Sequence, residues 1–372
     1  MFLPLFSTAM AATLDVGAGH PYPTLADAFA AATSGDVIAL HAGDHELDGD
    51  HTLLVDNLTV RGEGRDVTVV RAPVGSTCTV ALAGAGTLEM AGLDLGCDLQ
   101  ASQFAKAVVS EVTLGQSALW WLVDRATFTD VGADPEFIDV GRVDVSALVG
   151  SLTAINYNRS LALRMSGSRF VDGGRLWVQA LGPVGRVEVH DSWFCGAAAS
   201  EIRVDQAGSV LVEGNRFVGN GGGSVFSAAG ALELFGPPSV PLHVTGNVFY
   251  GNDHEENPSL HADYTLLLDH NIFARSTSTG AFPDEVGTLA APARADHNLW
   301  FDLAGNAIAS GGPGGNTVEP VGAHMVLADP MFVNPSLDCD VADFGLLPGS
   351  PAIDAGHPSQ LDADGTARDI GL

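Results

Sequence analysis

Lysine is almost missing from this sequence. Lys106 is the only one in 372 residues, and lysine and arginine together number 16 against 45 aspartates and glutamates. The formal net charge of −29 repels phosphate backbones and anionic bilayers, which sets aside nucleic acid and acidic membrane surfaces as partners. No apolar run reaches the roughly 18 residues that a membrane-spanning helix needs. Cysteine occurs only at Cys78, Cys97, Cys195 and Cys339, never as C-x-x-C, so neither a zinc ribbon nor a dithiol redox motif is encoded. GxSxG, P-loop and HExxH motifs are absent as well. What is present is a large apolar fraction, 46%, with 45 glycines, enough to bury a substantial core and incompatible with disorder.

The first residues, MFLPLFSTAMAA, form a short apolar run ending in Ala-Met-Ala. This fits the h-region and cleavage site of an export signal, with the cut expected after Ala11, although the basic n-region is lacking. Export to the periplasm, cell surface or medium is the expected localisation. Four cysteines suit an oxidising compartment; Cys78 and Cys97, 19 residues apart, lie close to one repeat and within expected disulfide reach, and no partner is assigned to the other two.

From residue 161 onward one pattern recurs: LALRMSGSRF, VEVHDSWF, VLVEGNRF, LHVTGNVF, LLLDHNIF and ARADHNLW. Each has alternating apolar residues, a turn-prone residue, then Asn or Ser, and an aromatic two positions later. The Asn/Ser positions are Ser168, Ser192, Asn215, Asn247, Asn271 and Asn298, separated by 24, 23, 32, 24 and 27 residues. A period in the twenties with variable insertions signals stacked repeats. Alternation of period two excludes helical solenoids, and the spacing is not that of leucine-rich repeats. A parallel β-helix remains, each coil laying short strands against the coils above and below. The Asn/Ser is expected to occupy a left-handed bend and form an internal ladder, and Phe170, Phe194, Phe217, Phe249, Phe273 and Trp300 an inward stack.

The Asp-His-Asn triplets raise a separate question. Asp269, His270, Asp296 and His297 are expected to be stacked surface polar residues at a turn, because other coils carry different residues there. A two-coil metal site, with rungs about 4.8 Å apart, is the alternative.

The two ends carry a family resemblance. PYPTLADAFAAATSGDVIAL, with Thr24 as N-cap of a helix over Leu25 to Ala32, followed by NLTVRGEG, resembles the N-terminal cap and first coils of pectate-lyase-like right-handed β-helix proteins. The segment from Asp329 to Gly371, with DPMFV, FGLLPGSPAIDAG and DADGTARDIG, resembles the C-terminal segment of secreted bacterial members of that superfamily. The resemblance implies an all-β, single-stranded right-handed parallel β-helix with a capping helix that hides strand edges and a loop-rich C-terminal cap. The expected layout is a signal at 1–11, cap and first coils at 12–75, coils at 76–325 and the C-terminal cap at 326–372, one structural domain and a monomer. It implies no single activity, since relatives include lyases, glycosidases, esterases and adhesins. An esterase-type Gln/Asp/Asp/Arg set is not recognisable.

In catalytic members, chemistry usually sits on the outward face of one parallel sheet. The strands before the repeat motif put Trp177, Gln179, Glu201, Arg203, Asp205, Glu233, Phe235, His261 and Asp263 on such a face. Trp177, Gln179, Glu201, Phe235, His261 and Asp263 are the candidate glycan-binding residues. Arg203, Asp205 and Glu233 are the candidate catalytic ones, as a lyase base or a glycosidase carboxylate pair. Asp205, Glu233 and Asp263 are possible calcium ligands. The expected partner is a polysaccharide or surface glycan, bound with or without catalysis; a non-catalytic adhesin or structural role is the further alternative. Asp362, Asp364 and Asp369 in the tail lack EF-hand spacing and read as a turn.

Overall fold

The computed structural model describes residues 11–115, 117–171, 174–181, 185–196, 200–204, 208–220, 231–237, 239–253, 259–262, 266–277, 286–288, 294–303, 305–310, 317–318, 322 and 324–371. Of the expected leader, only Ala11 falls within these. The chain forms two compact units, up to Val140 and from Gly141. Each is a stack of coils joined by parallel strand pairs, the architecture of a right-handed parallel β-helix. Among the described residues no helix is long and apolar enough to cross a membrane.

The first unit opens with strand Thr13–Val16 and a helix, Leu25–Ala31. Thr24 caps the helix, its hydroxyl accepting from the Asp27 amide, and Leu25, Ala28 and Phe29 bury its apolar face. After the helix, the buried Asp36 carboxylate accepts from the Ala12 and Thr33 amides and the Thr33 hydroxyl. Its pKa lies below the usual value: burial acts to raise it, but these hydrogen bonds outweigh burial. One run of parallel pairs joins Thr13–Val16, Val37–Leu40, Leu58–Arg61, Thr87–Leu95, Lys106–Leu114 and Arg125–Gly132. A second joins Gly49–Leu54, Cys78–Ala83, Asp98–Ser102, Ala118–Trp121 and Pro135–Ile138. Thr87 pairs with Lys106 and Lys106 with Arg125, so these coils are 19 residues long. Cys78 and Cys97 share that spacing and are bonded, with Cα atoms 5.0 Å apart.

Bends in this unit repeat in backbone geometry rather than in side chain. Gly92, Glu111 and Asp130 hold equivalent positions in three paired strands, all left-handed, with φ of 64°, 54° and 53°. Gln103, Leu122 and Asp139 follow three other aligned strands and are left-handed too. Inside, Trp120, Phe128 and Phe137 pack edge to face, with centroids 4.9 and 5.1 Å apart.

The second unit has the expected ladder. Asn215 Nδ2 donates to Asn247 Oδ1 at 3.0 Å, Asn247 to Asn271 at 3.0 Å and Asn271 to Asn298 at 3.0 Å. The same oxygens accept the backbone N–H one coil earlier, and Ser168 and Ser192 extend the series. All six side chains are fully buried. Beside them Phe170, Phe194, Phe217, Phe249, Phe273 and Trp300 stack in parallel at 4.6–4.7 Å.

One detail of the expectation is corrected. The left-handed residue is not the Asn or Ser but its predecessor: Gly167, Asp191, Gly214, Gly246, His270 and His297, with φ between 47° and 69°. This residue makes the bend, and the following Asn turns inward to bond the carbonyl two positions before it, as Asn247 does with Thr245. A second, shorter ladder, Asn220 to Asn252, lies five residues further along.

The C-terminal segment packs on this unit through Phe332, Phe344, Ala352 and Ile370, which join Val218, Val248 and Ile272 of the coils in one apolar cluster. Cys339 of this segment is bonded to Cys195. In the tail Asp369 Oδ1 accepts from the Asp354 amide, Asp362 Oδ2 from the Asp369 amide and Asp364 from Thr366. These carboxylates cap backbone N–H groups, as a turn requires.

Candidate functional site

Strand pairing in the second unit brings the expected site residues into two rows. Trp177 pairs with Glu201, Glu201 with Glu233, and Glu233 with His261; Gln179 pairs with Arg203 and Arg203 with Phe235. The intervening Val178, Ile202, Leu234 and Ala262 are fully buried, as the opposite face of the same strands must be. Asp205, Asp263 and the Glu201 side chain lie outside the described residues.

The rows are unevenly accessible. Arg203 is exposed and Gln179 half-buried, but Glu233 is only 4% and His261 only 9% exposed. Phe235 lies tilted against His261, with centroids 6.0 Å apart. Trp177 is half-buried, and the Arg175 guanidinium sits 4.2 Å from its ring centroid, occupying one indole face. A carboxylate and an imidazole one rung apart are a conceivable acid/base pair, yet both are held where a polymer cannot reach them.

The first unit carries a platform that the sequence reading passed over. Leu54, Ala83, Ser102 and Trp121 are successive partners across four strands, and Thr52, Ala81, Gln100 and Leu119 form the parallel row. All of these except Leu54 line a trough of about 250 Å³. Its floor is Ala81, Ala83 and Ser102, with Trp121, 48% exposed, on the last of the four strands and Thr52 on the first. Small residues lower the floor, while the half-exposed indole offers an apolar face next to the strand that carries Gln100 and Ser102, with the Thr52 hydroxyl three strands away at the far end. The signal was available in ALWW: strand alternation buries Trp120 completely and must turn Trp121 outward.

The Asp-His-Asn triplets are not surface features. His270 is 1% and His297 4% exposed, because the C-terminal segment covers the bend. The His357 amide donates to His270 Nε2 at 2.8 Å, and the Gly371 amide donates to the His270 carbonyl. His270 is therefore a neutral imidazole accepting at Nε2. Its pKa is pushed down to about 4, chiefly by burial and then by the neighbouring Arg368, His297 and His357. The four-residue metal site considered for Asp269, His270, Asp296 and His297 does not assemble. Arg294 engages Asp269, and the His357 amide occupies His270 Nε2. A third histidine joins instead. His324 follows His297 by the same 27 residues that separate His297 from His270, and the three rings stack at 5.4 and 4.6 Å.

No family model matches the sequence, and no curated protein matches it. Among solved structures the chain is similar to pectin methylesterase PemA from Erwinia chrysanthemi, at 15% identity and a TM-score of 0.31, over 74% of this chain and 91% of that one. It is also similar to a pectin methylesterase mutant in complex with a hexasaccharide, at 15% identity, a TM-score of 0.28 and coverage of 73% and 91%. A further pectin methylesterase in complex with a hexasaccharide shows 14% identity, a TM-score of 0.29 and the same coverage.

Proposed function

We propose that this is an exported, carbohydrate-associated β-helix protein that binds an extended glycan on an outward sheet face without transforming it. The observation that carries the reading is the trough between Thr52 and Trp121: an accessible aromatic face over a small-residue floor, edged by uncharged amide and hydroxyl groups. Pyranose rings present an apolar C–H face to indole and hydroxyls to amides. Rungs about 4.8 Å apart give the polar groups a repeat commensurate with an extended sugar chain. The two paired disulfides support an oxidising, extracytoplasmic compartment. With a net charge of −29, the protein favours a neutral glycan over a uronate polymer.

A second reading is a lyase or glycosidase acting through Arg203, Asp205 and Glu233, with Trp177, Gln179, Glu201, Phe235, His261 and Asp263 holding substrate and calcium on Asp205, Glu233 and Asp263; the strand register supports it for those of these residues other than Asp205 and Asp263, which lie outside the described ones. It requires Glu233 to become reachable. A glycan array combined with reducing-end and unsaturated-uronate assays separates the two. Binding without new reducing ends or enone absorbance is expected. Turnover that disappears in Glu233→Gln overturns the binding-only reading.

A further inference from the structure

The bend residues of two successive coils converge on a cluster that neither reading above uses. Asp296 Oδ1 accepts from the His297 amide at 3.0 Å and the His324 amide at 3.1 Å, which fixes the carboxylate between the two histidines. His324 Nδ1 lies 3.0 Å from Asp296 Oδ1 and 3.3 Å from Oδ2, and His297 Nδ1 lies 3.5 Å from Oδ1. His297 is 4% exposed, yet its Nδ1 has no hydrogen-bond partner among the described residues. A buried imidazole nitrogen left without a partner beside a carboxylate is a standing cost unless something fills the position.

The separations fit a metal ion. Ligands 2.0–2.1 Å from a tetrahedral centre are about 3.3 Å from one another; the two imidazole-to-carboxylate distances, 3.0 and 3.5 Å, are close to this, and the three ligand atoms all lie within 4.8 Å of one another. His324 and Asp296 belong to consecutive coils, and the Val326 amide, which donates to the Asn298 carbonyl, holds the later coil in place. Two imidazoles and one carboxylate form a borderline donor set suited to zinc and its first-row neighbours and poorly suited to calcium or magnesium. The nearby cation is Arg294, whose charge is partly offset by its pairing with Asp269. His357, edge-on to His297 at 5.3 Å, is not a ligand through Nδ1, which accepts from the Ser359 amide.

We propose that Asp296, His297 and His324 bind one first-row divalent cation of the zinc type, with the remaining coordination position open to water. The site clips together the bends of two coils. His324, 64% exposed in its side chain, leaves the open position facing solvent, as in zinc sites that take an exogenous ligand.

The test is isothermal titration calorimetry of chelator-treated full-length protein with zinc chloride and, separately, calcium chloride. One zinc per chain is expected, with no calcium binding at this site and a thermal midpoint raised by a few degrees in excess zinc. His324→Gln should weaken zinc binding at least about tenfold. Because its side chain is exposed, this variant should melt like the parent protein in chelator, which separates lost binding from lost folding. His357→Gln should keep the stoichiometry and affinity. Absence of zinc binding, unchanged affinity in a folded His324→Gln variant, or calcium binding as tight as zinc would each overturn the proposal.

Discussion

The two units solve the same problem, turning a parallel strand into the next face of a coil, by different means. In the second unit six bends, from Gly167 to His297, place a left-handed residue before a buried Asn or Ser, whose side chain satisfies backbone groups of its own coil and its neighbour. In the first, Glu111 and Leu122 are left-handed with no shared side chain, and the 19-residue coils are held by dense strand pairing, a capped helix and a disulfide. A bend stabilised by side chains constrains residue identity, whereas one stabilised by backbone pairing constrains only conformation.

That difference sets what can be broken. In the second unit, Phe217→Ala removes a ring stacked on both sides and should cost about 4 kcal/mol. Asn247→Leu leaves the Asn215 amide and the Val212 and Thr245 carbonyls without their partner and should cost on the order of 3 kcal/mol. Chemical denaturation checks both; losses under about 1 kcal/mol would show that the ladder is dispensable. In the first unit, replacing Cys78 and Cys97 by Ser reopens a 19-residue loop and should cost roughly 3 kcal/mol, read as a lower melting midpoint.

Acid should separate the units next. His270 has a folded pKa of about 4, below the usual histidine value of 6.5, so the unfolded chain binds more protons between these limits. Stability contributed by the second unit therefore falls as pH drops from about 6.5 towards 4, by on the order of 2 kcal/mol, and then levels off. Asp36 in the first unit has a lowered pKa, so its contribution is intact above about 4 and is lost only as pH falls further. Proteolysis of chelator-treated protein across this range should cut sites after residue 140 first; the reverse order would contradict the assignment. The smallest expected effect is Glu111→Gly. Relief of the left-handed strain offsets the entropy of glycine in the unfolded chain, and the net change should stay within about 0.5 kcal/mol.

The same contrast explains what could be read from the sequence. The Asn/Ser ladder and the aromatic stack were legible from residue 161 onward, because burial of an amide and a ring at each bend fixes the residue type. The coils around Glu111 and Leu122 were not, since backbone pairing accepts any residue that tolerates a positive φ. The register of Trp177, Glu201, Glu233 and His261 followed from strand alternation, but burial of Glu233 and His261 did not, because alternation reports which face a residue takes and not what covers that face. His270 and His297 are buried for a similar reason: the covering segment around His357 lies some 60 or more residues later in the chain. The pairing of Cys195 with Cys339, 144 residues apart, likewise depends on where that segment docks.

The functional claim turns on which sheet face a glycan uses. Once an array identifies a binding glycan, titration calorimetry on Trp121→Ala and Trp177→Ala tests it most directly. The trough reading predicts that Trp121→Ala weakens binding at least about tenfold, while replacing Trp177, half-buried and with Arg175 over one face of its ring, by Ala changes it less than about threefold. Binding that survives in Trp121→Ala and vanishes in Trp177→Ala would contradict the account and return the site to the second unit.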